Sequence, residues 1–327
     1  MKLLTKRLPG ILLAFAIAAP AWLLGTRIPV IGAPVLGILI GILLSGWKRP
    51  DIFKTGIAYT SKKILQYSII LLGFDMNLFQ IINTGRETII LLAFTLTATF
   101  LTAAIAGRAL KVNTNSKILI GVGSAICGGS AIAATAPVIK AKDEEIAQAI
   151  STIFLFNVIA AFLFPFIGHV LNLNDHTFGL WAGTAINDTS SVVAAGFSFS
   201  DAAGSLAVIV KLTRTLMIIP VTLVLAFFTS RKSLKEEKSD YNILKIFPWF
   251  VIGFLLAAVL NTFAPIPDEV SLSLTKMGKF LIVMAMASIG LNTDIIKLIK
   301  NGARPILLGL VCWFVLALTS LTVQYFM

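Results

Sequence analysis

Lys211 and Arg214 lie three residues apart in Ala202 to Thr229, a stretch otherwise nearly free of charge, so a helix there carries both cations on one face. At 1.5 Å per residue from Ala202, Lys211 sits about 13 Å and Arg214 about 18 Å along, with about 21 Å still to run to Phe228. In hydrocarbon each central cation costs roughly 2.5–3.5 kcal/mol on insertion scales, so two of them call for an internal partner. Asp188, within Asn187-Asp188-Thr189-Ser190-Ser191, is the acidic residue placed deepest. A structural ion pair is one reading. One carboxylate does not neutralise two cations, however, and the surplus positive charge is where an anion would sit, Arg214 as a forked donor and Lys211 as a point charge.

A second constellation is Cys127-Gly128-Gly129-Ser130, inside the nearly all-small run Gly121 to Ala136 with Pro137 after it. Small residues permit close helix packing, which is the plainer explanation. Two adjacent glycines at mid-span also weaken a helix, and unwound backbone at membrane depth persists only where protein or water satisfies it. A half-helix starting at Gly129 or Ser130 would present free N–H groups to an anion. The expected substrate-binding set is therefore Lys211, Arg214, Asp188, Asn187, Thr189, Ser190, Ser191, Cys127, Gly128, Gly129 and Ser130. No catalytic residue and no metal site is expected: His169 and His176 read as membrane-edge residues, and Cys127 has no nearby His to activate it. No Gly-x-x-x-x-Gly-Lys-[Ser/Thr] loop appears, which argues against direct ATP coupling.

The elements that must hold these residues follow from composition. Of 327 residues 57% are apolar and 13% charged, about half the roughly 25% charge of soluble proteins, and mean hydropathy is +0.92. A soluble globule, a disordered chain and a disulfide scaffold are excluded, Cys127 and Cys312 both lying in apolar runs. The net charge of +12, from 27 Lys and Arg against 15 Asp and Glu, reads as topology information rather than as nucleic-acid affinity. Eleven spans are expected: Leu8 to Thr26, Val30 to Gly46, Ile64 to Ile82, Thr88 to Gly107, Ile118 to Ile139, Ile146 to Gly168, Thr177 to Ser200, Ala202 to Thr229, Ile246 to Ala264, Val270 to Thr293 and Pro305 to Phe326. They make residues 1–327 one all-α, polytopic transmembrane domain. The first run, ending near Ala18-Ala19-Pro20-Ala21, also resembles a secretory signal, but Pro20 sits badly for cleavage. With the N-terminus inside, inner segments carry 19 Lys and Arg and outer ones at most six, among them Lys140 and Lys142; the C-terminus is then outside. The loop from His169 to His176 falls inside yet has no Lys or Arg.

Two internal similarities stand out. Shifted by 217 positions, Gly73 to Leu91 overlays Gly290 to Leu308, with Gly73, Ile82, Gly85, Ile89 and Leu91 matched. Asn77 or Asp294 would cap a short interfacial helix and Gly85 or Gly302 end it, on spans of opposite direction, an inverted repeat typical of secondary transporters. Shifted by 60, Gly123 to Ser130 overlays Gly183 to Ser190. The fifth and seventh spans run the same way, so either one is re-entrant or the likeness is compositional, the second being the simpler reading.

The run Gly123 to Ala134, then Asp188-Thr189-Ser190 with Val192 to Gly196, then Lys211-Leu212-x-Arg214, resembles the YeiH family of bacterial membrane proteins, labelled sulfate exporters, over essentially the whole chain. Relatives often carry His-acidic-x-x-Gln where this chain has Asn187 to Ser191, which leaves Asp188 as its titratable candidate. More distantly, the Gly-rich break and the repeated Gly-x-[Asp/Asn] unit are similar to the bile acid:sodium symporter fold, implying two interrupted central helices crossing at the substrate site. The resulting expectation is a secondary transporter of the bacterial cytoplasmic membrane for a small sulfate- or sulfonate-like anion. No cofactor and no nucleic-acid partner are expected, the lipid bilayer is its surroundings, and a coupling ion, H⁺ or Na⁺, and a homodimer are both left open. An anion channel and an intramembrane hydrolase are the rival classes.

Overall fold

Hydrocarbon offers no hydrogen-bond partner, so a chain this apolar must satisfy its backbone within helices. The computed structural model describes residues 2–27, 32–47, 49–218, 220–222, 224–225, 249–264, 266–293 and 302–327, and every regular element among them is helical. In chain order these are α1 (Lys2–Arg27), α2 (Ala33–Leu43), α3 (Lys54–Tyr59), α4 (Leu65–Leu72), α5 (Leu78–Ala109), α6 (Thr114–Ala125), α7 (Gly129–Thr135), α8 (Asp143–Val170), α9 (Asp175–Ala185), α10 (Thr189–Phe199), α11 (Asp201–Leu216), α12 (Trp249–Phe263), α13 (Asp268–Asn292) and α14 (Ala303–Phe326). A π-helical turn, Thr60–Ile64, joins α3 to α4. Six helices are long and apolar enough to cross a bilayer, in keeping with a polytopic membrane protein.

The helices form two bundles. One contains α1 to α4, α12 and α13; the other contains α5 to α11 and α14. Helix α10 joins them by packing on α2 and α13, where Ile38, Val193, Ala194, Ile282 and Met286 share one apolar cluster. Gly37 and Gly41 let α2 pack closely on α13, since a Cβ at either would run into the backbone of α13.

Helices α6 and α7 fold back on each other. The Ile132 side chain of α7 lies against Gly123 of α6, and a Cβ there would be 2.9 Å from it; on one straight broken helix, nine residues apart means about 13 Å. At the open end, the Glu145 carboxylate accepts from Asn113 Nδ2 at 2.6 Å, Asn115 Nδ2 at 2.9 Å and the Lys142 backbone N–H at 2.9 Å. Helices α9 and α10 form the second hairpin. Phe178 and Phe199, at its two outer ends, stack with centroids 3.9 Å apart, and Ser200 Oγ donates to Asp175 Oδ1 at 2.7 Å. Helix α8, 28 residues and about 42 Å long, separates the two hairpin bases. Its first turn holds the first through Glu145, while Gly168 and His169 near its end contact Phe199 of the second.

Several expectations are thereby corrected. The runs Ile118 to Ile139 and Thr177 to Ser200 are not crossings but re-entrant hairpins, each returning to the end it left. Hydropathy does not tell a 22-residue span from two half-length helices, because both bury the same apolar residues. The 60-residue likeness is more than composition: α6 ends at Ala125 and α9 at Ala185, and α7 starts at Gly129 and α10 at Thr189, so both pairs of boundaries differ by 60. Asn77 does cap a helix, its Oδ1 accepting from the Phe79 N–H at 2.8 Å. Gly85 does not end it, since α5 runs unbroken to Ala109; one interior glycine costs only about 1 kcal/mol. The matching segment Asp294 to Ile299 lies outside the described residues, as do Val30, residues 226–229, Ile246 and the basic stretch Arg231 to Lys245. Lys140 and Lys142 share an end with Asn113 and Asn115, and the loop before α9, without Lys or Arg, lies at the opposite end.

Cysteines placed at Lys142 and His176 test this topology. With a cytoplasmic N-terminus, the Lys142→Cys thiol should be shielded from an impermeant reagent in intact cells and the His176→Cys thiol labelled. Eleven crossings require the reverse pattern.

Candidate functional site

A helix ending deep in an apolar interior leaves its last four carbonyls without partners. Two do so here, α6 at Ala125 and α9 at Ala185, and their ends meet beside α11. Lys211 and Arg214, both 0% exposed, supply the missing donors. Lys211 Nζ donates to Ile126 O and Ile186 O, each at 2.9 Å. Arg214 Nε donates to Ala125 O at 2.7 Å, Nη1 to Ile186 O at 3.3 Å and also to Thr184 O, and Nη2 to Ser124 O. Each cation thus bonds both hairpins, and the negative ends of two helix dipoles point at the pair.

The alternative of a structural ion pair is not what the structure holds: among the described residues Asp188 makes no salt bridge, and backbone carbonyls partner the two cations. Asp188 instead caps α10. Its Oδ2 accepts from the Ser190 N–H at 3.0 Å and from Ser190 Oγ, and its own N–H donates to Asn157 Oδ1 at 3.2 Å. The carboxylate is half-buried, like Thr189 and Gly129, whereas Ser190, Ser191 and Cys127 are buried and Ser130 is exposed.

The structure therefore brings Lys211, Arg214, Asn187, Asp188 and Gly128 to one place, the meeting point of the hairpin tips. The two glycines differ in role. Gly128 turns the chain at φ +68, and its Cβ position lies 3.6 Å from Asn157 Nδ2 and 3.7 Å from Asn187 O; at Gly129 the nearest atom is 4.0 Å away. Thr189, Ser191 and Ser130 lie at the tips without a described side-chain hydrogen bond. Asn157 of α8 escaped the sequence reading, although it stands alone in an apolar run between Phe156 and Val158. It is 3% exposed and Asn187 1%; Asn157 Nδ2 and both side-chain polar atoms of Asn187 have no protein partner. Buried amides are rarely left so unless water or a ligand completes them. Among the described residues no group of His, Cys, Asp and Glu could hold a metal ion.

Arg214→Lys keeps the charge but not a fork spanning two hairpins. Its unfolding midpoint in detergent should fall, because stranded carbonyls cost about 1–3 kcal/mol each. Gly128→Ala should also lower the midpoint, since φ +68 with ψ −128 is a conformation open to glycine that costs a side chain about 1–3 kcal/mol, whereas Gly129→Ala should leave it unchanged. An Arg214→Lys protein as stable as the parent would show that the guanidinium does not hold the two hairpin tips together.

Comparison with known proteins gives a consistent result. A family model described as conserved hypothetical protein 698 matches residues 9–309. A UPF0324 membrane protein of Streptococcus agalactiae serotype V is 47% identical, covering 98% of each chain. One from Fusobacterium nucleatum is 46% identical with 98% of each chain covered, and one from Streptococcus mutans is 45% identical over 99% of this chain and 98% of its own. The expected resemblance to a family of bacterial membrane proteins is borne out, while sulfate export and the bile acid symporter fold are in none of these descriptions.

Proposed function

The chain belongs to the conserved hypothetical protein 698 family, whose relatives are UPF0324 membrane proteins, and on that footing we propose that it is a secondary transporter, not an enzyme, moving a small sulfate- or sulfonate-like anion by alternating access. The observation that carries this reading is the meeting of two re-entrant hairpins, entered from opposite ends, at two fully buried cations. Broken helices meeting at mid-depth are how membrane transporters expose backbone dipoles to a solute without exposing them to lipid. In place of eleven crossings, the proposed topology has nine crossings and an inverted pair of hairpins, with the N-terminus cytoplasmic and the C-terminus outside. It also improves the charge bias. Lys140 and Lys142 join the cytoplasmic side, raising its count from 19 to 21, and the loop lacking Lys and Arg falls outside.

An anion is favoured by what surrounds the tips. Lys211 and Arg214 have their N–H bonds largely taken by carbonyls, but those carbonyls carry only partial charge, so the two formal cations still outweigh Asp188. The N-terminus of α10 and the free amide N–H groups of Asn157 and Asn187 add donors. Movement is provided for by the two bundles. They are latched at the end where α10 finishes: Lys279 Nζ of α13 pairs with Asp201 Oδ1 of α11 at 2.8 Å, and Gly32 lies against Ser198. Solute access would then come from the other end.

Purified protein should be stabilised against heating by sulfate or methanesulfonate and not by chloride at equal ionic strength, saturation at 100 times Kd adding about 2.7 kcal/mol. No shift with any oxyanion would sink the substrate class. Joining Asp201→Cys to Lys279→Cys with a short bifunctional reagent should arrest uptake into vesicles, with reducible cross-links restoring it; undiminished uptake would count against relative motion of the bundles.

A further inference from the structure

Resting on the anion reading above, we infer that Asp188 carries the coupled proton: the site binds a divalent oxyanion with Asp188 protonated and a monovalent one with Asp188 ionised. Among the described residues, formal charge at the tips comes from three side chains, Lys211, Arg214 and Asp188. With the carboxylate ionised they sum to one positive charge, and with it protonated to two. A monovalent anion balances the first state and a divalent anion the second. The mismatched combinations leave a net charge in a water-poor interior, where its cost is greatest.

Geometry gives Asp188 this part. It has no cationic partner among the described residues, because both deep cations are turned toward carbonyls. Its carboxylate is half-buried rather than sealed, so a proton can reach it. Beside it the Asn187 amide and Asn157 Nδ2 are buried and without protein partners, donors and an acceptor that the protein itself leaves unused. Among the described residues, the elements packed around α10 bring no other titratable group to the tips except the Cys127 thiol. Helix α11 contributes Lys211 and Arg214, α8 the uncharged Asn157, and α2 nothing ionisable. The Asp175 and His176 of α9 and the Lys279 of α13 belong to the far end. One proton taken up with each divalent anion and released with it on the other side makes that movement net one negative charge per cycle, and the monovalent movement needs no proton.

The test uses the full-length protein in lipid vesicles, with ³⁵S-sulfate as the divalent probe and methanesulfonate as the monovalent one. From about pH 8 to about pH 5 sulfate uptake should rise by up to about tenfold per pH unit, with proton entry reported by a lumenal dye, while methanesulfonate uptake should not rise. Asp188→Asn mimics the protonated state and keeps an effective helix cap. It should move sulfate at a pH-independent rate without protons and lose methanesulfonate uptake; Asp188→Ser, also a capping residue, serves if the Asn protein does not fold. Sulfate and methanesulfonate profiles that coincide in the wild type, or a sulfate profile unchanged in the variant, overturn the inference and leave anion transport standing. Wild-type vesicles that take up neither probe overturn the anion reading itself, and this inference with it.

Discussion

The carbonyl ends of α6 and α9 are the constraint on which the rest depends. Ser124, Ala125, Ile126, Thr184 and Ile186 present backbone oxygens at a depth where neither water nor a neighbouring strand can reach them. Lys211 and Arg214 answer this from a single helix face, each reaching both hairpins. The cost of burying the cations and the cost of burying the carbonyls are met together. Neither the hairpins nor the charged face of α11 would be tenable alone.

From this joint follows the course of the chain. Because α6–α7 and α9–α10 each return to the end they left, α8 runs opposite to the direction that counting them as crossings assigns, and every loop between the two hairpins changes sides. The Glu145 carboxylate with Asn113, Asn115 and the Lys142 N–H closes one hairpin base. The Phe178–Phe199 stack and the Ser200–Asp175 bond close the other. One base is polar and one largely aromatic, so the likeness of the two motifs lies in their tips rather than their bases.

The tips divide chemical labour in a way that residue types alone conceal. Lys211 and Arg214, the most conspicuous candidates for gripping a substrate, spend most of their N–H bonds on the backbone, so in the proposed site their part would be chiefly one of charge. Asn157 and Asn187 keep the unsatisfied side-chain donors, and Asp188 is the acid among them. Charge and hydrogen bonding thus come from different residues at one place. Meanwhile α10 carries the tip outward to the cluster with Ile38, Ile282 and Met286, where any shift between bundles would be felt at the site.

Solvent preference and local chemistry were legible in the sequence. The composition required a polytopic helical membrane protein, the depth of Lys211 and Arg214 required internal partners, Asn77 read correctly as a cap, and Asn187-Asp188 and Cys127-Gly128-Gly129 marked both tips, because each is a local mismatch with an apolar setting. Tertiary structure alone decided how the mismatches resolve. Hydropathy is blind to direction, so the same apolar run serves a crossing or a hairpin, and only Ile132 against Gly123 or Phe178 on Phe199 distinguishes them. Backbone carbonyls are the same for every residue type, so nothing in the sequence could announce that they, rather than Asp188, partner the two cations. Asn157 was visible as a lone amide, but its membership of the site depends on α8 passing beside a tip formed some thirty residues later, a proximity that the fold creates and no local pattern encodes.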